Sequence, residues 1–389
     1  MTRRELSFSL MLMAAMALST VTLFIIAVAA SDLQNEFGIS KLQIGLLGAA
    51  NTGVGGLFAP PSGWISDRLG GRRSVALTFV TSGIAAALFA VSPNYTVLLI
   101  SCAIAGIPQG LGNPACNTAI ATGISASKRG IATAIKQSGV QVGIFLAGFL
   151  VPWLSEGFGW RSSLWLTAAA SFACLAGMGA ITMLERISTP DATAATKDIR
   201  LDPVVTQVAV YGFLLGIVGG GLGRFLPLFA EEEVGFTVQQ AGWVFGLQGL
   251  VAIPFRLLSG LALDRGISAR RMLTVMGVGG AGAMLFILSA GSGPIALLWI
   301  GTVLGGMTLG TWNTPANVWM IRQGAGAGQA TGRLMLGFLI GLTVGGPVTG
   351  WSIDNFAYTP AWVGGAILSL AGAAIVAYRR KATPTRSVA

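Results

Sequence analysis

Apolar stretches long enough to cross a bilayer follow one another along the whole chain, separated by short polar gaps. In the first half they run from about Leu6 to Ala30, Leu42 to Ser66, Ser74 to Val91, Thr96 to Ile124, Gly130 to Leu154 and Ser162 to Leu184. In the second they run from Val204 to Ala230, Gln240 to Leu263, Met272 to Ala290, Ile295 to Ile321, Gly332 to Ile353 and Ala361 to Tyr378. About 20 apolar residues of helix span a ~30 Å hydrocarbon core, so each stretch predicts one transmembrane helix. The runs are continuous rather than alternating, which excludes the strand pattern of a membrane barrel. The expected fold is an all-α integral membrane protein with twelve transmembrane helices.

The gaps carry the sidedness. Numbered alternately with the N-terminus inside, the inner gaps hold Arg3, Arg4, Arg68, Arg72, Arg73, Lys128, Arg129, Arg270, Arg271 and the basic C-terminal tail, and the outer gaps hold only Lys41 and Arg161. This positive-inside pattern predicts both termini in the cytoplasm, in a plasma membrane of the bacterial inner-membrane type. The net charge of +10 is then topological information, not a nucleic-acid surface. Composition agrees: 10% of residues are charged, against about 25% in soluble domains, and mean hydropathy is +0.74. Arg3, Arg4 and the Ala27-Val28-Ala29 segment imitate a secretory signal. The apolar run exceeds the ~7–15 residues of such a signal and has a counterpart in the second half, so it reads as the first span.

A shift of about 200 residues superimposes the halves. Gly38, Ser40, Gln43 and Gly45 meet Gly235, Thr237, Gln240 and Gly242; Gly139, Gly143, Gly148 and Trp153 meet Gly337, Gly341, Gly346 and Trp351. Between the halves lies the longest polar stretch. The expected organisation is an N-terminal six-helix bundle over 1–185, a cytoplasmic linker over 186–203 and a C-terminal six-helix bundle over 204–389. Such an internal repeat places a cavity between two facing bundles at mid-membrane.

Several chemistries are absent. The chain has no histidine, and its three cysteines, Cys102, Cys116 and Cys174, lie in apolar runs without metal-ligand spacing. No phosphate-binding GxxxxGK[ST] occurs. Gly277, Gly279 and Gly282 spell GxGxxG inside a span, without the preceding strand a dinucleotide site needs. No cofactor, metal or enzymatic constellation is expected.

The second span closes on Gly63-Trp64-Ile65-Ser66-Asp67-Arg68-Leu69-Gly70-Gly71-Arg72-Arg73. With twelve spans and the six-plus-six repeat, this segment resembles the signature loop of the major facilitator superfamily, secondary transporters that work by alternating access. A second copy, Gly260, Asp264, Arg265 and Gly266, is degraded: its basic pair comes late and no glycine matches Gly70. The resemblance implies a gate. A carboxylate at one bundle's inner end can sit at the positive N-terminus of a helix in the other, so Asp67 is expected near Thr331 and Gly332, and Asp264 near Gly130.

Polar residues within spans mark the expected cavity. Gln109, Asn113 and Asn117 share one face of the fourth span, and Asn313 and Asn317 repeat this on the tenth beside Trp312 and Trp319. Gln137 and Gln141 pair on the fifth, and Asn51 and Gln248 correspond across the halves. Interhelical hydrogen bonding is the other reading of each amide. Lys136, Arg224, Arg256 and Arg333 lie within spans, with Lys136 and Arg333 close enough to the inner ends to snorkel. Arg256 also suits an inner-gate role. No Asp or Glu lies deep in any span. Cations without carboxylates suit a small organic anion, monocarboxylate-like, held by Arg256 or Arg224 with amides from Asn113, Asn117, Asn313 and Asn317. The alternatives are an exporter of amphipathic compounds and a non-transporting membrane sensor. The expected partners are a small-molecule substrate, with a coupled proton or counter-substrate open, and the lipid bilayer; the protein is expected to be a monomer.

Overall fold

The computed structural model describes residues 2–178, 203–322 and 327–378, excepting the side chains of 126, 203, 321, 322 and 327–333. Fourteen α-helices account for it: α1 (Arg3–Val28), α2 (Ala30–Phe37), α3 (Lys41–Leu69), α4 (Gly71–Ala90), α5 (Tyr95–Gly123), α6 (Arg129–Phe158), α7 (Arg161–Gly177), α8 (Pro203–Glu232), α9 (Val238–Asp264), α10 (Ala269–Ala290), α11 (Ala296–Thr308), α12 (Asn313–Arg322), α13 (Ala327–Phe356) and α14 (Tyr358–Ala377). Ten are long and apolar enough to cross a membrane. The sixth expected span begins as α7, and its remainder lies outside the described residues. The tenth is broken into α11 and α12, a departure from the continuous helix the sequence suggested. Around the break Gly310 N–H reaches back to Gly305 O and Thr314 N–H to Thr311 O, so the regular i to i−4 ladder is interrupted.

Local chemistry sets the helix ends, and the repeat is visible in it. Ser40 with Gln43 forms a capping box at the start of α3, and Thr237 with Gln240 forms the same box at the start of α9. The turns before them use Gly38 (φ +62°) and Gly235 (φ +75°), a backbone region that glycine enters freely.

In the first half α5 packs on α3 and α4, α6 on α1, and α7 on α4; in the second α13 and α14 pack on α8, α10 on α14 and α11, and α11 on α9. The two groups meet mainly where α3 crosses α13 and α6 crosses α9. Both crossings use repeat-related glycines. Gly45 lies against the Gly346 carbonyl, and Gly242 and Gly148 lie against one another's carbonyls. Without Cβ atoms the backbones touch, as close packing in lipid favours.

Candidate functional site

The two crossings shut one end of the molecule. Along α3 the seam begins where Asp354 Oδ1 and Oδ2 accept from the Lys41 and Leu42 backbone N–H groups at 3.0 and 2.8 Å. It continues through Gly45 and Gly346 to the Thr52–Thr343 hydroxyl pair at 3.1 Å. Lys41 also pairs with Glu232 at 3.0 Å, and the Tyr358 hydroxyl donates to the same carboxylate. On the other crossing Gly249 lies 2.7 Å, by its Cβ direction, from the Gln141 carbonyl. From Lys41 to Thr52 is about 16 Å of helix, half the hydrocarbon thickness.

The opposite end, which carries the signature loop, is parted. Gly63, Gly130 and Gly260 have open space where a Cβ would stand. Asp67, Arg68, Asp264 and Arg265 are exposed, and no hydrogen bond or ion pair reaches either carboxylate among the described residues. Asp264 therefore does not engage α6 near Gly130 in this conformation. Thr331 and Gly332, expected opposite Asp67, lie outside the described side chains. The carboxylate-on-helix-terminus contact does occur, at the other end: Asp354 of one bundle caps α3 of the other. Within the loop, Arg68 stacks on Trp64 at 3.7 Å, Arg72 donates to Met178 O at 3.1 Å, Arg73 is exposed, and Gly70 (φ +79°) ends α3. The second copy is less degraded than its spelling suggests. Gly266 (φ +87°) supplies the left-handed residue one position earlier than a match to Gly70 requires.

Between the closed and open ends lies a polar cluster built from both bundles. Lys136 does not snorkel. It is 1% exposed, and its Nζ donates to Asn113 Oδ1 and Asn117 Oδ1, both at 2.6 Å. The physical reason is reach: Asn113 and Asn117, one turn apart on α5, offer two oxygens on the face that α6 covers, and ammonium–dipole bonds replace hydration. Arg256 of α9 donates through Nη2 to Gly310 O in the α11–α12 break at 3.1 Å, and the Gln141 amide of α6 accepts from the same Nη2 at 3.1 Å. Gln141 in turn donates to Gln137 O at 3.2 Å. Arg256 thus ties one bundle to the helix break of the other at the inner limit of the seam. On α12, Asn313 and Asn317 have buried amide oxygens without hydrogen-bond partners among the described residues. Their repeat mates have Lys136; the corresponding position in α13 is Leu334.

Other expected site residues sit elsewhere. Asn51 is 2% exposed and donates to Cys102 O, holding α3 to α5, and Gln109 packs beside Gly55 in that same contact. Gln248 packs beside Gly305 of α11. Trp312 is a core residue, 3% exposed, between Tyr211 and Phe338. Arg224 is buried in the closed seam, donating to Gly220 O and Leu342 O. Near the closed end, Trp160 is buried and donates to Glu36, which Arg161 also binds at 2.6 Å. That guanidinium, followed by the indole, holds the Glu36 carboxyl below its ordinary range. Arg333 lies outside the described side chains.

Sequence reasoning overlooked Asp354, Glu232, Tyr358 and the Thr52–Thr343 pair. The repeat offered one signal: Asp354 aligns with Glu156, so an acid ends both the fifth and the eleventh spans.

Two inverted-contact bundles, one end sealed by glycines and a polar cluster at mid-depth define a class of proteins, the two-bundle membrane carriers. A family model for the Major Facilitator Superfamily matches residues 10–332, and the chain belongs to that superfamily; it is a transporter-type membrane protein and not an enzyme. It is 25% identical to the glycerol-3-phosphate transporter of Bacillus subtilis, over 86% of this chain and 82% of that protein. It is 23% identical to a probable sulfoacetate transporter of Cupriavidus necator, over 89% and 87%. A 28% match to the cis,cis-muconate transport protein of Acinetobacter baylyi spans 36% of this chain and only 34% of that protein. The fold is shared with a D-xylose-proton symporter (TM-score 0.78, 17% identity, covering 95% and 97%). It is also shared with a bacterial homolog of the human lysosomal transporter Spinster in an inward-facing, occupied conformation (TM-score 0.77, 17% identity, covering 97% of each).

Proposed function

We propose that the protein is a secondary active transporter that moves a small organic anion by alternating access. The observation that carries this reading is the charge of the mid-depth cluster. Among the described residues Lys136 and Arg256 bond to amide and carbonyl oxygens and to no carboxylate, and every described Asp and Glu lies near a helix end. A desolvated cation neutralised by dipoles alone favours an anion. The free oxygens of Asn313 and Asn317 suit hydroxyl donors on that anion. Relatives named for glycerol 3-phosphate, sulfoacetate and muconate point the same way.

In this reading 1–185 and 204–389 are the two moving bundles, 186–203 links them, and one copy suffices. The positive-inside charge supports a cytoplasmic signature loop and cytoplasmic termini in a bacterial inner membrane; in this reading the present conformation opens inward. Asp67 and Asp264 serve as latches when that side shuts. Because no carboxylate reaches mid-depth, the driving proton travels with the acid substrate, or a counter-anion exchanges for it.

The test is uptake of labelled cis,cis-muconate, sulfoacetate and glycerol 3-phosphate into proteoliposomes, with and without a pH gradient. Transport of at least one is expected, inhibited by carboxylates, and Arg256→Gln is expected to raise KM about 10–100-fold, the loss of one charge-assisted contact. Inhibition by lipophilic cations instead, or an unchanged KM in Arg256→Gln, overturns the assignment.

A further inference from the structure

Arg224 is a deeply enclosed cation that the cluster above does not use. It lies on α8, 3% exposed, where α3, α8 and α13 meet in the closed seam. Nη1 donates to Gly220 O at 3.2 Å and to Leu342 O at 3.0 Å. Nε and Nη2 are buried without a hydrogen-bond partner among the described residues. No carboxylate pairs with the guanidinium among the described residues. Its space is made by two glycines from opposite bundles: a methyl on Gly48 of α3 would overlap Nε, and a methyl on Gly346 of α13 would overlap Nη1.

The internal repeat supplies a control for what packing alone requires. In the sister crossing of α6 and α9, the helix equivalent to α8 is α1. There α1 contributes Phe24, whose ring lies 6.1 Å from that of Phe245, the repeat mate of Gly48. An aromatic pair fills that corner in place of a guanidinium. A guanidinium with two unmet donors is costly in the same position, so closure of the α3–α13 seam works against Arg224 rather than because of it. When α3 parts from α13, the Gly48 side of the guanidinium is the side uncovered, and both unmet donors face the opening.

We infer that Arg224 is a second anion site, hidden in this conformation and presented at the Lys41 end when the seam opens. Its ligand is a carboxylate, phosphate or sulfonate that takes Nε and Nη2 together in the two-pronged geometry guanidinium offers. The inference rests on the alternating-access reading, but its test needs no transport.

Spin labels on Pro93→Cys and Ser292→Cys, both exposed in loops at the Lys41 end of opposite bundles, report opening in nanodiscs by pulsed electron resonance, with Cys174→Ser in the background. Acetate and inorganic phosphate are titrated against chloride at constant ionic strength. An anion that binds only the open form raises the open-to-closed ratio about tenfold at ten times its dissociation constant. The wild type is expected to respond to acetate or phosphate and Arg224→Gln is not. Gly48→Ala is expected to populate the long distance without added anion, and Gly48→Ala/Arg224→Ala to lose that effect, because the methyl then has room. An equal response in Arg224→Gln, no response in either protein, a response to chloride alone, or a Gly48→Ala distribution like the wild type overturns the site. If these shifts occur while vesicles accumulate none of the candidate anions, the carrier reading fails and the site stands.

Discussion

Replacing Lys136 with methionine separates a structural from a functional role for the mid-depth cluster. The side chain is 1% exposed and makes two bonds of 2.6 Å to Asn113 and Asn117. Hydrogen bonds to a charged group are worth about 1.5–3 kcal/mol each, so the pair contributes roughly 3–6 kcal/mol. Against this stands the desolvation of one ammonium, several kcal/mol after relaxation. The two nearly cancel, and methionine fills similar volume without a charge. Asn117 is exposed and regains water when Nζ is removed. Lys136→Met is therefore expected to unfold within about 1 kcal/mol of the wild type. Binding is another matter. An ammonium about 4 Å from a substrate carboxylate is worth on the order of 4 kcal/mol at an effective dielectric constant near 20, or roughly a 100–1,000-fold loss of affinity. Differential scanning fluorimetry with and without the transported anion reads stability and binding in one experiment, and vesicle uptake reads transport. A variant destabilised by more than about 3 kcal/mol with an unaltered KM would leave Lys136 a structural residue.

Two further outcomes follow from the seam and its rim. Gly148→Val places bulk against the Gly242 carbonyl and 2.6 Å, by its Cβ direction, from Gly246 Cα; backbone cannot yield, so the α6–α9 crossing should separate and the Pro93–Ser292 label distance lengthen, whereas an unchanged distance in a folded protein argues against a tight seam. Glu36→Gln probes the Arg161 pair at 2.6 Å. Because the folded carboxyl titrates below its ordinary value of 4.5, its stabilisation is present above that value and lost as pH falls through the depressed one. With the side chain 39% exposed, screening limits the effect to about 1 kcal/mol or less. The Tm difference from wild type should shrink toward zero in acid, and a pH-independent difference would contradict the pairing.

Much of the architecture was legible because lipid imposes long apolar periods and the repeat doubles every signal. Gly45 with Gly242, and Gly148 with Gly346, aligned in the sequence and meet in space as two equivalent crossings. What stayed hidden depends on side-chain direction, which spacing does not encode. Lys136 stands near enough to an inner end to snorkel, and only the position of Asn113 and Asn117 decides that it turns inward. Trp312 shares a stretch with Asn313, yet its ring packs between Tyr211 and Phe338 in the core while Asn313 opens α12. The break between α11 and α12 has a faint signal in Gly310. Asp354 escaped notice because an acid at a span end reads as solvated until a partner helix brings its N-terminus to it.

Alternating access requires the seam at the Lys41 end to open for transport. Lys41→Cys/Asp354→Cys places two thiols where the Asp354 carboxylate now caps α3, within reach of a short bis-thiol reagent. In proteoliposomes, cross-linking is expected to abolish uptake of the transported anion and a cleavable spacer, once reduced, to restore it. Undiminished uptake by the fully cross-linked protein would contradict alternating access.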